Sequence, residues 1–256
     1  MTNQRRTLMS TLWQAIRLTH CSWGLLLVVL LTPALSVAFW QWLASGPILG
    51  FARVSGWVTS LLVLYPCTTL FLARVRAARE DQPILAWRAA LQRYLPGVMV
   101  IGLLQGAAMY SVTRLLVNAS KGASAAWMSW IPWIDMGAST VVTVFVYVLP
   151  LIFLFSLDLS LLRLFPVSLR CFGSEWRFVL LALMLEVALL AVEFLAVLPV
   201  ESLLDWLLRD SDWLDVGTSG AIMGSVMSIT TVTLAQYLLW VGLALLILWH
   251  GERGKT

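Results

Sequence analysis

Charge is scarce in this chain. Of its 256 residues only 12% are Asp, Glu, Lys or Arg, against 60% that are apolar. Soluble domains carry about a quarter charged residues, so the composition argues against a water-facing globule and for a polytopic membrane protein. Histidine is almost missing: His20 and His250 stand near opposite ends of the chain, and neither has a neighbour at metal-ligand spacing. Both are expected as solvated side chains at the interface. The three cysteines, Cys21, Cys67 and Cys171, are isolated from one another, which excludes a sequence-encoded disulfide framework or thiolate metal site. Also missing are a nucleophile elbow, a phosphate-cradling glycine loop, a zinc-protease helix and an intramembrane aspartate pair. The sequence therefore offers no catalytic residue, no metal site and no cofactor, and the expectation is a protein that is not an enzyme. The net charge of +4 does not point to nucleic acid, because the basic residues flank apolar runs where anionic lipid headgroups attract them.

Long apolar runs, by contrast, are abundant. A hydrocarbon core of roughly 30 Å needs about 20 apolar residues per helix, and six stretches qualify: 23–44, 56–75, 96–117, 136–157, 178–199 and 224–248. The first is too long and too tryptophan-capped for a removable signal peptide, so it is expected to be retained. No closed-barrel alternation appears, and lipid-exposed backbone must bond within its own segment. The predicted fold class is accordingly all-α, a single six-span helix bundle over 1–256. Pro33, Pro66 and Pro150 fall in or near spans and predict kinks.

The basic residues sort by loop. Arg5, Arg6 and Arg17 precede span one; Arg74, Arg76, Arg79, Arg88 and Arg93 separate spans two and three. Arg163, Arg170 and Arg177 separate four and five, and Arg253 and Lys255 follow six. Together these are thirteen of the seventeen basic residues. By the positive-inside rule that side is the cytoplasm, which puts both termini there. The outer side is expected to hold Trp127, Trp130 and Trp133 on one face of a short interfacial helix, and an in-plane helix from Glu201 to Asp215 with an acidic rim. Asn118-Ala119-Ser120 fits a glycosylation acceptor facing outward, relevant only in a eukaryote.

Three cassettes carrying arginine and tryptophan repeat at a fixed offset of ten residues: Trp13–Arg17 before the run at Trp23, Trp87–Leu91 before Gly97, and Pro166–Arg170 before Trp176. Each reads as an amphipathic helix in the headgroup plane that turns into the bilayer, before spans one, three and five.

Span five contains the most unusual residues, Glu186 and Glu193. Seven residues is nearly two turns, so the two carboxyls share a face about 10 Å apart along the axis. Inside hydrocarbon each must be protonated or paired. Two readings follow. Either the pair forms a proton or cation pathway, or it is a polar clasp to a neighbouring helix, with Gln105, Arg114 and Gln236 as partners. Arg163, Arg170 and Arg177 also recur every seven residues, although Pro166 and Gly173 argue against one continuous helix. They suit either lipid phosphates or a cytoplasmic docking surface whose other half is Arg74, Arg76, Arg79, Glu80 and Asp81, and Arg88 is counted with the same docking or headgroup residues. Gly220, Gly224 and Ser228 form a small-residue ridge for close helix approach in span six.

The run Leu149-Pro150 to Phe155, then Asp158, Phe165-Pro166, Ser168-Leu169-Arg170 and Trp176-Arg177 resembles a group of bacterial six-span inner-membrane proteins, the YciC-type proteins and the membrane domain of glycerophosphodiester phosphodiesterases. Ser168 and Trp176 match that pattern, while Glu175 stands where the group has asparagine. The resemblance implies a multi-pass protein of the bacterial inner membrane. The layout is also similar to type-two ATP-binding-cassette permease subunits, with Arg74 to Arg93 at the position of the helix that docks on the ATPase.

The expected function is a non-enzymatic scaffold, assembly or regulatory partner whose contacts are membrane lipids and another protein, an ATPase or a second membrane subunit. The alternatives are a permease subunit exporting a small or amphipathic solute, and a proton-coupled carrier using the intramembrane glutamates.

Overall fold

The computed structural model describes residues 8–29, 31, 60–121, 125–157, 161–209 and 234–250. Outside them lie most of span one, both tails with Arg5, Arg6, Arg253 and Lys255, the stretch Asp210–Asp215, and the small-residue ridge of span six. The protein is all-helical, with no strand among the described residues.

Helix α1 (Leu8–Cys21) buries Thr11, Ala15 and Thr19, one stripe at a spacing of four, and leaves Trp13 and Arg17 outside. It stops at Ser22, whose amide bonds back to Leu18 and Thr19 at 3.1 Å, and helix resumes over 23–29. A π-helical turn, Ser60–Leu64, leads into α2 (Tyr65–Glu80). α2 ends because Asp81 takes a left-handed conformation (φ 52°) while the Gln82 amide bonds to the Ala77 carbonyl at 3.0 Å. Short acidic side chains tolerate that region, and Pro83 just beyond could not continue the helix.

α3 runs unbroken from Trp87 to Ser120, 34 residues with Pro96 inside. This corrects the expectation for the second cassette: Trp87–Leu91 is the first turn and a half of a long helix rather than a separate in-plane element. The same holds at Trp127, Trp130 and Trp133. They are exposed as expected, but they belong to α4 (Ala125–Val142), which passes through a π-helical segment, Thr143–Val148, into α5 (Leu149–Leu157). α6 (Leu161–Ser174) is separate, as the third cassette predicted. Pro166 does not interrupt it. The break falls at Glu175, so Arg163 and Arg170 share a helix while Arg177 starts the next. α7 (Trp176–Arg209) extends over 34 residues, so the residues 201–209 continue this rod instead of starting an in-plane outer helix. α8 covers Leu234–His250.

Among the described residues two rods, Trp87–Ser120 and Trp127–Leu157, are long and apolar enough to cross a membrane. Leu149 to Ser156 are buried on every side, as are Trp240 to Leu248. An all-round apolar helix belongs in an interior, and α5 and α8 form that centre. α3 lies at the periphery, with Leu103, Leu104, Leu115 and Val117 exposed.

Polar and aromatic contacts gather one set of helix ends. Arg79 of α2 reaches the Ser156 carbonyl of α5 at 3.2 Å, and Arg76 bonds the Tyr94 hydroxyl of α3. His250 of α8 lies 5.5 Å from the Phe153 ring and 5.2 Å from the Phe178 ring of α7. The C-terminal ends of α2, α5 and α8 thus meet the N-terminal ends of α3 and α7. α2, α3, the α4–α5 rod, α7 and α8 therefore run in alternating directions.

Candidate functional site

A cavity of about 340 Å³ opens between the starts of α2 and α8, the middle of α3 and of α7, and the Thr143–Val148 segment. Its polar lining is Tyr65, Gln105, Thr143, Tyr147, Glu186 and Gln236, and Leu189, Leu190 and Leu239 complete the wall. At about 1.5 Å rise per residue, Glu186 stands roughly 15 Å from the start of α7, Tyr65 roughly 21 Å from Arg79 near the end of α2, and Gln236 roughly 21 Å from His250 at the end of α8. Half of a hydrocarbon core is about 15 Å, so these groups sit near mid-depth of any membrane the rods span.

The expected polar set is partly assembled. Glu186, Gln105 and Gln236, from three different helices, face one space. Gln105 donates to the Thr143 hydroxyl at 3.5 Å, and Gln236 Nε2 is buried with no hydrogen-bond partner. Glu193 lies two turns further along α7, and its side chain is outside the described set. Arg114 does not join: it is exposed and its Nε bonds the Tyr110 hydroxyl at 2.8 Å. Tyr65, Thr143 and Tyr147 are cavity residues that composition alone did not single out. Thr143 and Tyr147 are four apart on one helix face, and that spacing was the available signal.

Two close approaches shape the walls. A Cβ on Gly102 of α3 would fall on the Tyr65 ring, so glycine here lets the phenol reach the cavity across the α2–α3 contact. On Gly242 of α8 a Cβ would meet Leu189 Cδ1 at 3.0 Å and Leu185 Cδ2 at 3.5 Å. Below Glu186 a crevice of about 10 Å³ runs between α7 and α8 past Ala182, Gly242 and Leu246, about the least space that admits a single water. Glu186 borders both spaces.

The arginines divide into two groups. Arg74 donates to Ser22 Oγ at 3.3 Å, Arg76 pairs with Glu80 at 3.1 Å, and Arg79 holds the Ser156 carbonyl. All three are half-buried, and burial, more than the neighbouring Glu80 and Arg76 charges, pulls the Arg79 guanidinium below its ordinary pKa. They tie helices together. Arg88, Arg163, Arg170 and Arg177 are exposed. Arg88 lies over the Trp87 ring at 5.2 Å and Arg177 over Trp176 at 5.6 Å, each at the first turn of a long helix.

The histidines are more engaged than isolated interfacial groups. His20 meets the Tyr237 hydroxyl at 3.3 Å. His250, largely enclosed, lies 3.9 Å from the Glu175 carboxylate, which bridges the α6–α7 break to the end of α8. Among the described residues no three His, Cys, Asp or Glu side chains group as metal ligands. Comparison of the chain with family models, with curated proteins and with solved structures finds no match in any of the three.

Proposed function

We propose that this chain is a multi-pass inner-membrane protein, crossing six times with both tails in the cytoplasm, that admits a small polar solute to the centre of its bundle without transforming it. The observation that carries this reading is the cavity. A carboxyl, two amides, two phenols and a hydroxyl converge at mid-depth, where polar groups are costly to hold and are found at transport or binding sites. A purely structural clasp would close around its members and leave no room. The reading predicts water access. In a cysteine-free background, Thr143→Cys is expected to react with a membrane-impermeant thiol reagent from one or both faces of sealed vesicles. Asp81→Cys and Glu175→Cys should label from the cytoplasmic face and Lys121→Cys from the other. Failure of Thr143→Cys to react from either face would overturn solute access, and a split between Asp81 and Glu175 would overturn the threading.

A second reading, a scaffold or regulatory partner, is favoured by the exposed Trp87-Arg88 and Trp176-Arg177 stacks. Indole at headgroup level with guanidinium beside it suits anionic lipid or an acidic partner surface. An ATPase partner would use the same face. Charge reversal of Arg88, Arg163, Arg170 and Arg177 distinguishes these uses: partner docking depends on which arginine is changed, lipid anchoring only on how many.

A further inference from the structure

We infer that the solute admitted to this cavity is an uncharged short polyol, bound through its hydroxyl groups to Gln105 and Thr143. This rests on the reading of the cavity as a solute site and specifies its chemistry. Charge is decided by what the wall can still balance. Among the described lining residues Glu186 carries the one carboxyl and no Lys, Arg or His joins it. Glu186 is already engaged within the protein. An ion brought to mid-depth needs an opposite charge that is not already taken up. The lining keeps none in reserve for a cation and has no basic group for an anion, so the chamber suits a neutral solute.

The composition and size of the wall then narrow the kind of neutral molecule. Of the twelve residues lining the space, six are polar and six are leucine or alanine. A wall that is half hydrogen-bonding and half hydrocarbon matches a molecule that carries a hydroxyl on each carbon and C–H surface between them. About 340 Å³ holds on the order of ten waters and lies at the lower end of small-molecule pockets. That admits a short polyol and excludes an oligosaccharide.

Gln105 and Thr143 supply the definite contact. Both are half-buried lining residues, and so keep accessible surface that the enclosed Gln236 Nε2 lacks. Their amide and hydroxyl stand 3.5 Å apart, beyond the ordinary range of an N–H···O bond, about 2.7–3.2 Å. Each therefore retains bonding capacity that the other does not satisfy. A hydroxyl has one proton and two lone pairs, so one hydroxyl of the solute accepts from the Gln105 amide while donating to the Thr143 oxygen.

The test uses the full-length chain in sealed proteoliposomes with three probes: xylitol, the cation choline and the anion gluconate. Xylitol is expected to slow thiol labelling of Thr143→Cys about threefold or more and to leave Lys121→Cys unaffected, while choline and gluconate protect neither. With the native chain, light scattering should report xylitol entry faster than into protein-free vesicles, at a rate that ignores an imposed membrane potential. Thr143→Val should slow that entry about fivefold or more, and Thr143→Ser, which keeps the hydroxyl, should preserve it. Protection by either ion equal to that by xylitol, a rate that follows the potential, or equal rates in Thr143→Val and Thr143→Ser overturns the inference. If Thr143→Cys labels from water but xylitol neither protects nor enters, the polyol chemistry falls and solute access stands. If Thr143→Cys does not label and xylitol does not enter, both fall.

Discussion

Phe71 and Trp240 stack face to face, their ring centroids 4.4 Å apart and their planes inclined by 8°, and both side chains are fully buried. They join α2 to α8 in the centre of the bundle. Within a bilayer there is no water to expel between helices, so association rests on close van der Waals fit. Removing the indole with Trp240→Ala is expected to cost about 3 kcal/mol, while Trp240→Phe keeps a ring against Phe71 and should cost less than about 1.5 kcal/mol. Denaturant titration in mixed micelles measures both, and equal losses would show that a ring kept against Phe71 adds nothing to stability.

Arg79→Ala is expected to destabilise by about 2 kcal/mol, because it strips the Ser156 carbonyl of a charged donor inside the protein. Arg88→Ala and Arg163→Ala, on the exposed side, should stay within about 0.5 kcal/mol. The same titration reads all three. Should Arg79→Ala prove as silent as Arg88→Ala, the half-buried arginines do not act as ties and their docking role regains ground.

Gly102→Ala sets a methyl group against the Tyr65 ring. Overpacking of this kind costs about 1–3 kcal/mol, and Tyr65→Leu, which removes the clashing ring atoms, should restore most of the loss in the double variant. A double-mutant cycle gives the coupling. Additive losses would mean that α2 and α3 do not meet through this pair.

The helical class and the polar trio of Glu186, Gln105 and Gln236 were legible in the residues, since few groups in an apolar run can compensate a carboxyl and amides are among them. Tyr65, Thr143 and Tyr147 were less visible because each also occurs as ordinary filling of a span. The role of Arg74, Arg76 and Arg79 could not be read from their number and order. A headgroup contact and a helix-to-helix tie use the same residue type at the same depth, and only the neighbouring helices, with Ser22, Tyr94 and Ser156, decide between them. The second cassette failed as a separate surface helix for a local reason: between Leu91 and Gly97 only Pro96 lacks an amide donor, and the helix runs on through that one missing rung, whereas Glu175 and Ser22 do mark ends at the other two.

Both stretches of wide winding, Ser60–Leu64 and Thr143–Val148, adjoin the chamber, through Leu64 and Tyr65 on one side and Thr143 and Tyr147 on the other. Such a turn stores a surplus residue. Rewinding one of them to ordinary α-helix would rotate everything on one side of it by about 100° and shift it by about 1.5 Å relative to the other. A tyrosine carried through that screw motion would leave the chamber or turn further into it, so the winding of these two short coils sets how wide the chamber is.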